Sequence, residues 1–464
     1  MPGGGGVLKS IGPIHAILIT CALLLSVVAG RQIFMDGASF VTQSLLDPFT
    51  WYPPHDTPKR FFAIMWTTAA VRLLGVFDPS RINAAIILFG LATYSQIAIP
   101  FIAIVRSELK PVVRSLIIVC FTSGTIFLAN FAVTELLFAI ALTTLFVIYT
   151  LDPAQDAKLR KRFVLAFLLM ASYEIVVISN VALAVGTYFF ARDEERPAKS
   201  YVVLIGILAL GPAFQIACYL VGMSPQAKDV FDWFVFVIAG VFIAALAVLI
   251  AYFKLIETVD WLRTASIFLA FAIPASAMFT PFMLGLRTRE FQFSYPSRIY
   301  TAGIIVIIAM LPLLLNRRLW RWPWTILEWI ERPLNDLGLA MVAAFCGVSL
   351  LASADAFRYF ARLDKELSSR AGVIDVASCD FCVQPTKYGL PNLGYIWLWP
   401  VYGMIHTLEH PELPPVVVIG PAGVINGDIS STTVATFMEH QLALRGQPPL
   451  DADALKSGLD RIHR

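Results

Sequence analysis

A carboxylate inside an apolar stretch is expensive to keep charged, so every such acid in this chain marks a place where something compensates it. Glu135 closes the short turn NFAVTE between two apolar runs. Glu174 sits in SYEIVV with apolar residues on both sides. Asp36 follows the first apolar run, in RQIFMDGASF. A carboxylate held at a bilayer edge against an apolar wall can have a raised pKa and act as a general base, which suits removal of a proton from a hydroxyl. The competing role for Asp36 is a helix N-cap or a solvated loop acid. For Glu135 and Glu174 it is an ion pair with Arg60, Arg72 or Arg81.

A second constellation is basic. Arg287, Arg289 and Arg298 share the stretch RTREFQFSYPSR with Tyr295 and Pro296. The guanidinium fork matches phosphate oxygens in bidentate fashion, and tyrosines suit the membrane interface. A lipid phosphate or pyrophosphate is the natural partner, and simple headgroup anchoring is the alternative.

The region after residue 355 offers two metal-like patterns. His406-Thr407-Leu408-Glu409-His410 matches H-x-x-E-H, which on a helix puts both histidines on one face with Glu409 as a base. Cys379-x-x-Cys382 with His406 and His410 makes a Cys2His2 set whose inner gap is longer than finger spacing. These four are weak metal candidates, because Pro411 follows at once and a Cys379–Cys382 disulfide or free thiols compete. The other cysteines, Cys21, Cys120, Cys218 and Cys346, lie in apolar segments as packing residues. There is no phosphate-cradling glycine loop, nucleotide fingerprint or serine-nucleophile elbow; GGGG at 3–6 precedes an apolar run instead of following a strand. No internal repeat is evident, which weakens an inverted-repeat transporter.

The elements that must position these groups are membrane spans. Hydrophobic residues make up 58% of the 464-residue chain and charged residues 14%, against about 25% in soluble domains. Mean hydropathy is +0.73. The net charge of +3 gives no reason to expect a nucleic-acid partner. Apolar runs of spanning length fall at about 12–30, 82–105, 113–130, 132–151, 201–223, 229–253, 264–286, 299–315 and 337–354. The first is read as an uncleaved helix rather than a signal peptide. The expected fold is therefore an all-α polytopic membrane protein of about 9 to 11 transmembrane helices over 1–354. A small α+β extramembrane appendage would follow over 355–464, around the strand-like run PPVVVIG.

Charge fixes the expected topology. RSELKPVVR, DPAQDAKLRKR, RDEERPAKS and NRRLWRW are short and basic, so all belong on the cytoplasmic side. Residues 61–77 then form an amphipathic helix on the outer face, within an outer loop 31–81. The stretch 163–191 then makes no net crossing: it is a hairpin of short helices meeting near Tyr173 and Glu174. Irregular backbone at that depth implies a cavity. Asp36, Glu135, Glu174 and the arginine loop all fall on the outer half, where three arginines violate the positive-inside trend and suggest an anion site.

This order of parts resembles the GT-C superfamily of polyprenyl-phosphate-dependent glycosyltransferases. The resemblance rests on Met35-Asp36 after the first span, the 61–77 helix, Thr134-Glu135 at a tight turn, Tyr173-Glu174 among short helices, and the aromatic tail phrase GYIWLWPVYGMIHTL. It covers the first 200 residues best. It implies a multi-pass enzyme of a bacterial inner membrane that moves a sugar from a polyprenyl-phosphate donor to a glycan or lipid acceptor on the outer face. Asp36 would be the catalytic base, Glu135 and Glu174 the second acids, and Arg289 and Arg298, with Arg287, the phosphate site. The family's second acid beside the first is absent, since Gly37 follows Asp36, and this leaves divalent-metal dependence open. The competing readings are a transporter or flippase, and a polymerase or ligase of lipid-linked glycans. A zinc hydrolase in the tail is a remote fourth.

Overall fold

A computed structural model describes residues 11–33, 37, 40–41, 57–77, 82–130, 135–152, 159–193, 198–221, 294–316, 322–375, 395–419 and 431–446. Asp36, Arg287, Arg289, Cys379 and Cys382 lie outside these residues, as do the expected spans 229–253 and 264–286.

The described residues are almost all helical. In chain order they form α1 (Pro13–Val28), α2 (Thr57–Phe77), α3 (Ile82–Arg106), α4 (Pro111–Asn130), α5 (Leu136–Leu151), α6 (Leu159–Leu169), α7 (Val176–Asp193), α8 (Ala198–Leu220), α9 (Ser294–Leu314), α10 (Trp322–Trp329) and α11 (Glu331–Leu367). The tail adds β1 (Gly372–Asp375), α12 (Tyr395–Glu409), β2 (Val416–Ile419) and α13 (Ser431–Leu444). Among the described residues, four helices are long and apolar enough to cross a membrane: Asn83–Arg106, Pro111–Asn130, Lys199–Cys218 and Glu331–Leu367. Pro13–Val28, Leu136–Leu151, Val176–Phe189 and Tyr300–Leu314 are shorter apolar helices. The described residues thus supply fewer crossing helices than the 9 to 11 expected from hydropathy.

The outer surface of these helices suits lipid. Ile14, Ile17, Leu18, Leu24, Leu25 and Val28 of α1 all point outward, as do Val202, Leu220 and Leu351. An apolar band of this kind is unfavourable against water and neutral against hydrocarbon. The interior is packed around α9, which runs against α4, α5 and α7. α11 lies along both α4 and α1. At 37 residues, α11 is about 55 Å long, well beyond the roughly 30 Å hydrocarbon core, so its last turns project past the bilayer.

The basic connections share one end of the bundle. Lys110 Nζ sits 4.9 Å from the Trp324 ring centroid. The Glu108 backbone N–H donates to Asp152 Oδ2 at 3.4 Å. Arg162 Nη2 donates to the Tyr201 hydroxyl at 3.3 Å, so α6 and α8 start at the same level. At the far end of α6, Gln215 Nε2 donates to the Met170 carbonyl at 3.2 Å. Gly211 of α8 lies against both Met170 and Asn180, where an added Cβ would meet Asn180 Nδ2 at 2.4 Å. So α6 rises along one side of α8 and α7 descends along another. Between them, 159–193 leaves and regains the basic end.

The tail is a β–α–β unit. β1 and β2 pair in parallel, Gly372 opposite Val416 through Asp375 opposite Ile419. α12 packs on β2, and Gly403 lets it sit close: a Cβ there would come within 2.9 Å of Val417 Cα. The Thr407 hydroxyl donates to the Val416 carbonyl and accepts from the Val416 N–H, both at 2.8 Å. A second hydrophobic core joins this unit to the membrane helices, with Ile33, Ile64, Val71, Phe89, Tyr359, Leu363, Ile405 and Val417 in one cluster.

Candidate functional site

At the end of the bundle opposite the basic connections, one guanidinium gathers two acids. Arg60 stands at the start of α2, where the helix breaks its geometry (φ −115°, ψ 16°). The Arg60 side chain reaches Glu174 in the α6–α7 turn, and the Phe62 N–H donates to the Ala171 carbonyl of that turn at 3.0 Å. Phe62 also packs on Phe167 with ring centroids 5.2 Å apart. α2 is not an isolated surface helix: it packs along α3, and Trp66 Nε1 donates to the Ala92 carbonyl at 3.0 Å and to Ser95 Oγ at 3.1 Å.

The guanidinium is divided unequally. Arg60 Nη2 donates to Glu174 Oε1 at 2.8 Å, and Nε reaches Oε1 and Oε2 of the same carboxylate at 3.2 Å. Nη1 donates to Glu135 Oε1 at 3.2 Å. The other Glu135 oxygen, Oε2, is buried with no hydrogen-bond partner. Arg60 is 4% exposed, Glu135 5% and Glu174 2%. Ions this deep are tolerated when paired, and the Glu174 pair meets that condition more fully than Glu135 does. The Arg60 guanidinium also lies over the Tyr173 ring, 4.5 Å from its centroid. Arg298, at the start of α9, lies close enough to act electrostatically on Tyr173. The cluster is thus built from α2, the start of α5, the α6–α7 turn and the start of α9.

Two of the residues expected from sequence, Glu135 and Glu174, therefore meet at Arg60, and Arg298 acts on Tyr173 of the same cluster. Of the three arginines offered as structural partners for the acids, Arg60 takes both; Arg72 bonds Thr68 Oγ1 of its own helix at 3.1 Å. Asp36, Arg287 and Arg289 lie outside the described residues, but Gly37 is informative. A Cβ at 37 would meet the Gln32 carbonyl oxygen at 1.9 Å and Phe89 at 3.3 Å, so the chain has no room there for a second acid. Sequence reasoning offered Arg60 as one of three arginines for these acids and paired Tyr173 with Glu174, but it did not single out Arg60 as the partner of both acids or foresee its contact with the Tyr173 ring. The signal for Arg60 was its place in PKRFF, at the head of an apolar helix, in a chain with two acids to compensate.

A second cluster lies in the tail. His406 Nδ1 is 2.7 Å from Asp364 Oδ1, and His410 Nε2 is 3.3 Å from the same oxygen. Among the described residues, Asp364, His406 and His410 are the group whose ligand atoms converge, all within 4.8 Å. Asp364 comes from the projecting end of α11, a partner that the H-x-x-E-H spacing could not supply. Glu409 is not in the converging set, and burial raises its carboxyl above the usual range. Burial likewise lowers His406 below its ordinary value, partly offset by Asp364. Cys379 and Cys382 lie outside the described residues.

No protein-family model, curated protein or solved structure matches the chain.

Proposed function

We propose that the protein is a membrane glycosyltransferase of GT-C type, moving a sugar from a polyprenyl-phosphate donor to a glycan or lipid acceptor on the outer face of a bacterial inner membrane. The single observation that carries this reading is the Arg60 clamp, which leaves Glu135 Oε2 buried without a hydrogen-bond partner, in a cluster whose Tyr173 also feels the charge of Arg298. A closed structural ion pair has no use for the open oxygen. A site for a hydroxyl and a phosphate uses both groups.

In this reading Arg298, with Arg289 and Arg287, holds the donor phosphate and stabilises charge as the sugar departs. Asp36 takes the proton of the acceptor hydroxyl. Glu135 Oε2 accepts a hydrogen bond from that hydroxyl and orients it. Arg60 and Glu174 hold Glu135 in place, and the Tyr173 ring buttresses Arg60. The apolar spans, nine to eleven in all, shape a groove for the polyprenyl tail, and the α+β tail closes the outer side. A divalent ion at Asp36 is an open element of this scheme.

One observation favours transport as a second reading. Thr143, Thr144, Asn180 and Thr187 are buried with side-chain polar atoms that have no partner, which suits a hydrated path. The experiment that separates the two incubates purified protein with a panel of polyprenyl-phosphate sugars and weighs the acceptor. One added sugar mass supports transfer, a ladder indicates polymerisation, and movement of label across a vesicle with no covalent product indicates transport.

A further inference from the structure

We propose that Asp364, His406 and His410 bind one divalent transition-metal ion of zinc type, pinning the tail to the projecting end of α11. The two histidines lie four residues apart at the end of α12, with ring centroids 4.6 Å apart. Their nitrogens converge on one carboxylate oxygen from a helix 42 residues earlier in the chain. Ligand atoms around a tetrahedral zinc with bonds of about 2.0–2.1 Å lie roughly 3.3 Å from one another. The His410 approach of 3.3 Å matches that spacing, the His406 approach of 2.7 Å is a hydrogen-bond distance that would open on binding, and all three ligand atoms lie within 4.8 Å of one another.

With His410 neutral, hydrogen bonding leaves this cluster incomplete, whereas an imidazolium would donate to both acids. Both ring nitrogens of His410 face carboxylate oxygens: Nε2 faces Asp364 Oδ1, and Nδ1 faces Glu412 Oε1 at 3.2 Å. A neutral imidazole has one N–H and satisfies one of them. An ion on Nε2 resolves the conflict, with Nδ1–H donating to Glu412. A carboxylate that orients a ligating histidine in this way is the usual backing of a metal site. His406 presents Nδ1 to the same Asp364 oxygen, and its buried Nε2 takes no part in the site. Two imidazoles and one carboxylate suit zinc, with a fourth position left for water. Asp364 and His410 are each about one-third exposed, so that position opens to solvent.

The consequence is structural. α11 and α12 touch at few places, yet the metal set bridges them directly, so the ion would fix the tail against the last turn of the membrane helix. Zinc catalysis is not part of this proposal, since Glu409 is outside the converging set.

The test uses the full chain, purified in detergent through an affinity tag without histidines, stripped with a chelator and reloaded with zinc chloride. The expected result is one zinc per chain by elemental analysis, lost in both Asp364→Asn and His410→Asn. Glu412→Gln should retain zinc with about tenfold weaker affinity in competition with a chromophoric chelator. The Cys379→Ser, Cys382→Ser double variant should retain it fully. Because Asp364→Asn could disturb the tail, cobalt loading of the wild-type chain gives an independent readout. It should show d–d bands of a nitrogen–oxygen site without a thiolate charge-transfer band. Absence of stoichiometric zinc in the wild type, retention of zinc in both ligand variants, or a thiolate band would each overturn the proposal.

Discussion

Arg60 and Glu174 close on each other through three hydrogen bonds, while the same guanidinium gives Glu135 a single one. This inequality divides the labour at the site. Glu174 is committed to holding Arg60 between α2 and the α6–α7 turn. Glu135 is held by one oxygen and keeps the other open. The two acids therefore have opposite expected responses to the same conservative change.

Glu174→Gln breaks a buried ion pair and leaves Arg60 undercompensated, a change worth about 3–5 kcal/mol. The expected outcome is poor yield and a clearly lower melting temperature in detergent, read by the fluorescence of the purified protein. A melting temperature equal to wild type would mean that Glu174 is not the structural anchor.

Arg298→Lys keeps the charge but loses the fork. If Arg298 holds the donor phosphate, the donor KM rises by roughly tenfold, about 1.4 kcal/mol of affinity. A membrane anchor would tolerate lysine, which also snorkels to headgroups. Arg289→Lys measured in parallel shows whether the phosphate contact is shared, and wild-type kinetics in both variants would move the site elsewhere.

The two ends of the bundle should face opposite sides of the membrane. In a background with the native cysteines replaced by serine, Arg160→Cys should resist an impermeant thiol reagent in intact cells, and Ser369→Cys should label. Both positions are exposed, one at the start of α6 and the other just after α11. The reverse pattern would invert the assignment of faces.

Asp36→Asn is isosteric but cannot take a proton. As the base, Asp36 is worth about 10²–10⁴-fold in turnover, with expression and melting temperature unchanged. Activity within a few-fold of wild type would reassign it to helix capping.

Much of this site could be read from the chain itself, for a physical reason. Glu135 and Glu174 stand out because acids are rare in apolar runs, and the Tyr173-Glu174 pair lies in a stretch too long for one span and too short for two. The described helices break between Leu169 and Val176, at that pair. Hydropathy has less to say about who pairs with whom. Arg60 and Glu174 are 114 residues apart, and only the packing of α2 across the α6–α7 turn brings them together. The tail is harder for the same reason. His406 and His410 follow from spacing on one helix, but Asp364 arrives from a separate helix whose register no local pattern encodes. The number of crossings is less legible still. Apolar run length does not distinguish a helix that faces lipid from one packed inside a bundle, as α5 is almost throughout.

The central claim is that sugar transfer takes place at the Arg60 clamp and uses the open oxygen of Glu135. The most direct measurement is transfer of labelled sugar from a polyprenyl-phosphate donor by wild type and by Glu135→Gln, each normalised to folded protein. The amide oxygen of the introduced glutamine can still accept from Arg60, so the variant should fold with a near-native melting temperature. Its kcat/KM should fall by about tenfold to a hundredfold, the worth of a hydrogen bond to a charged group. Wild-type activity in the folded Glu135→Gln variant, or no covalent product from any polyprenyl-phosphate sugar with the wild-type protein, would contradict the claim.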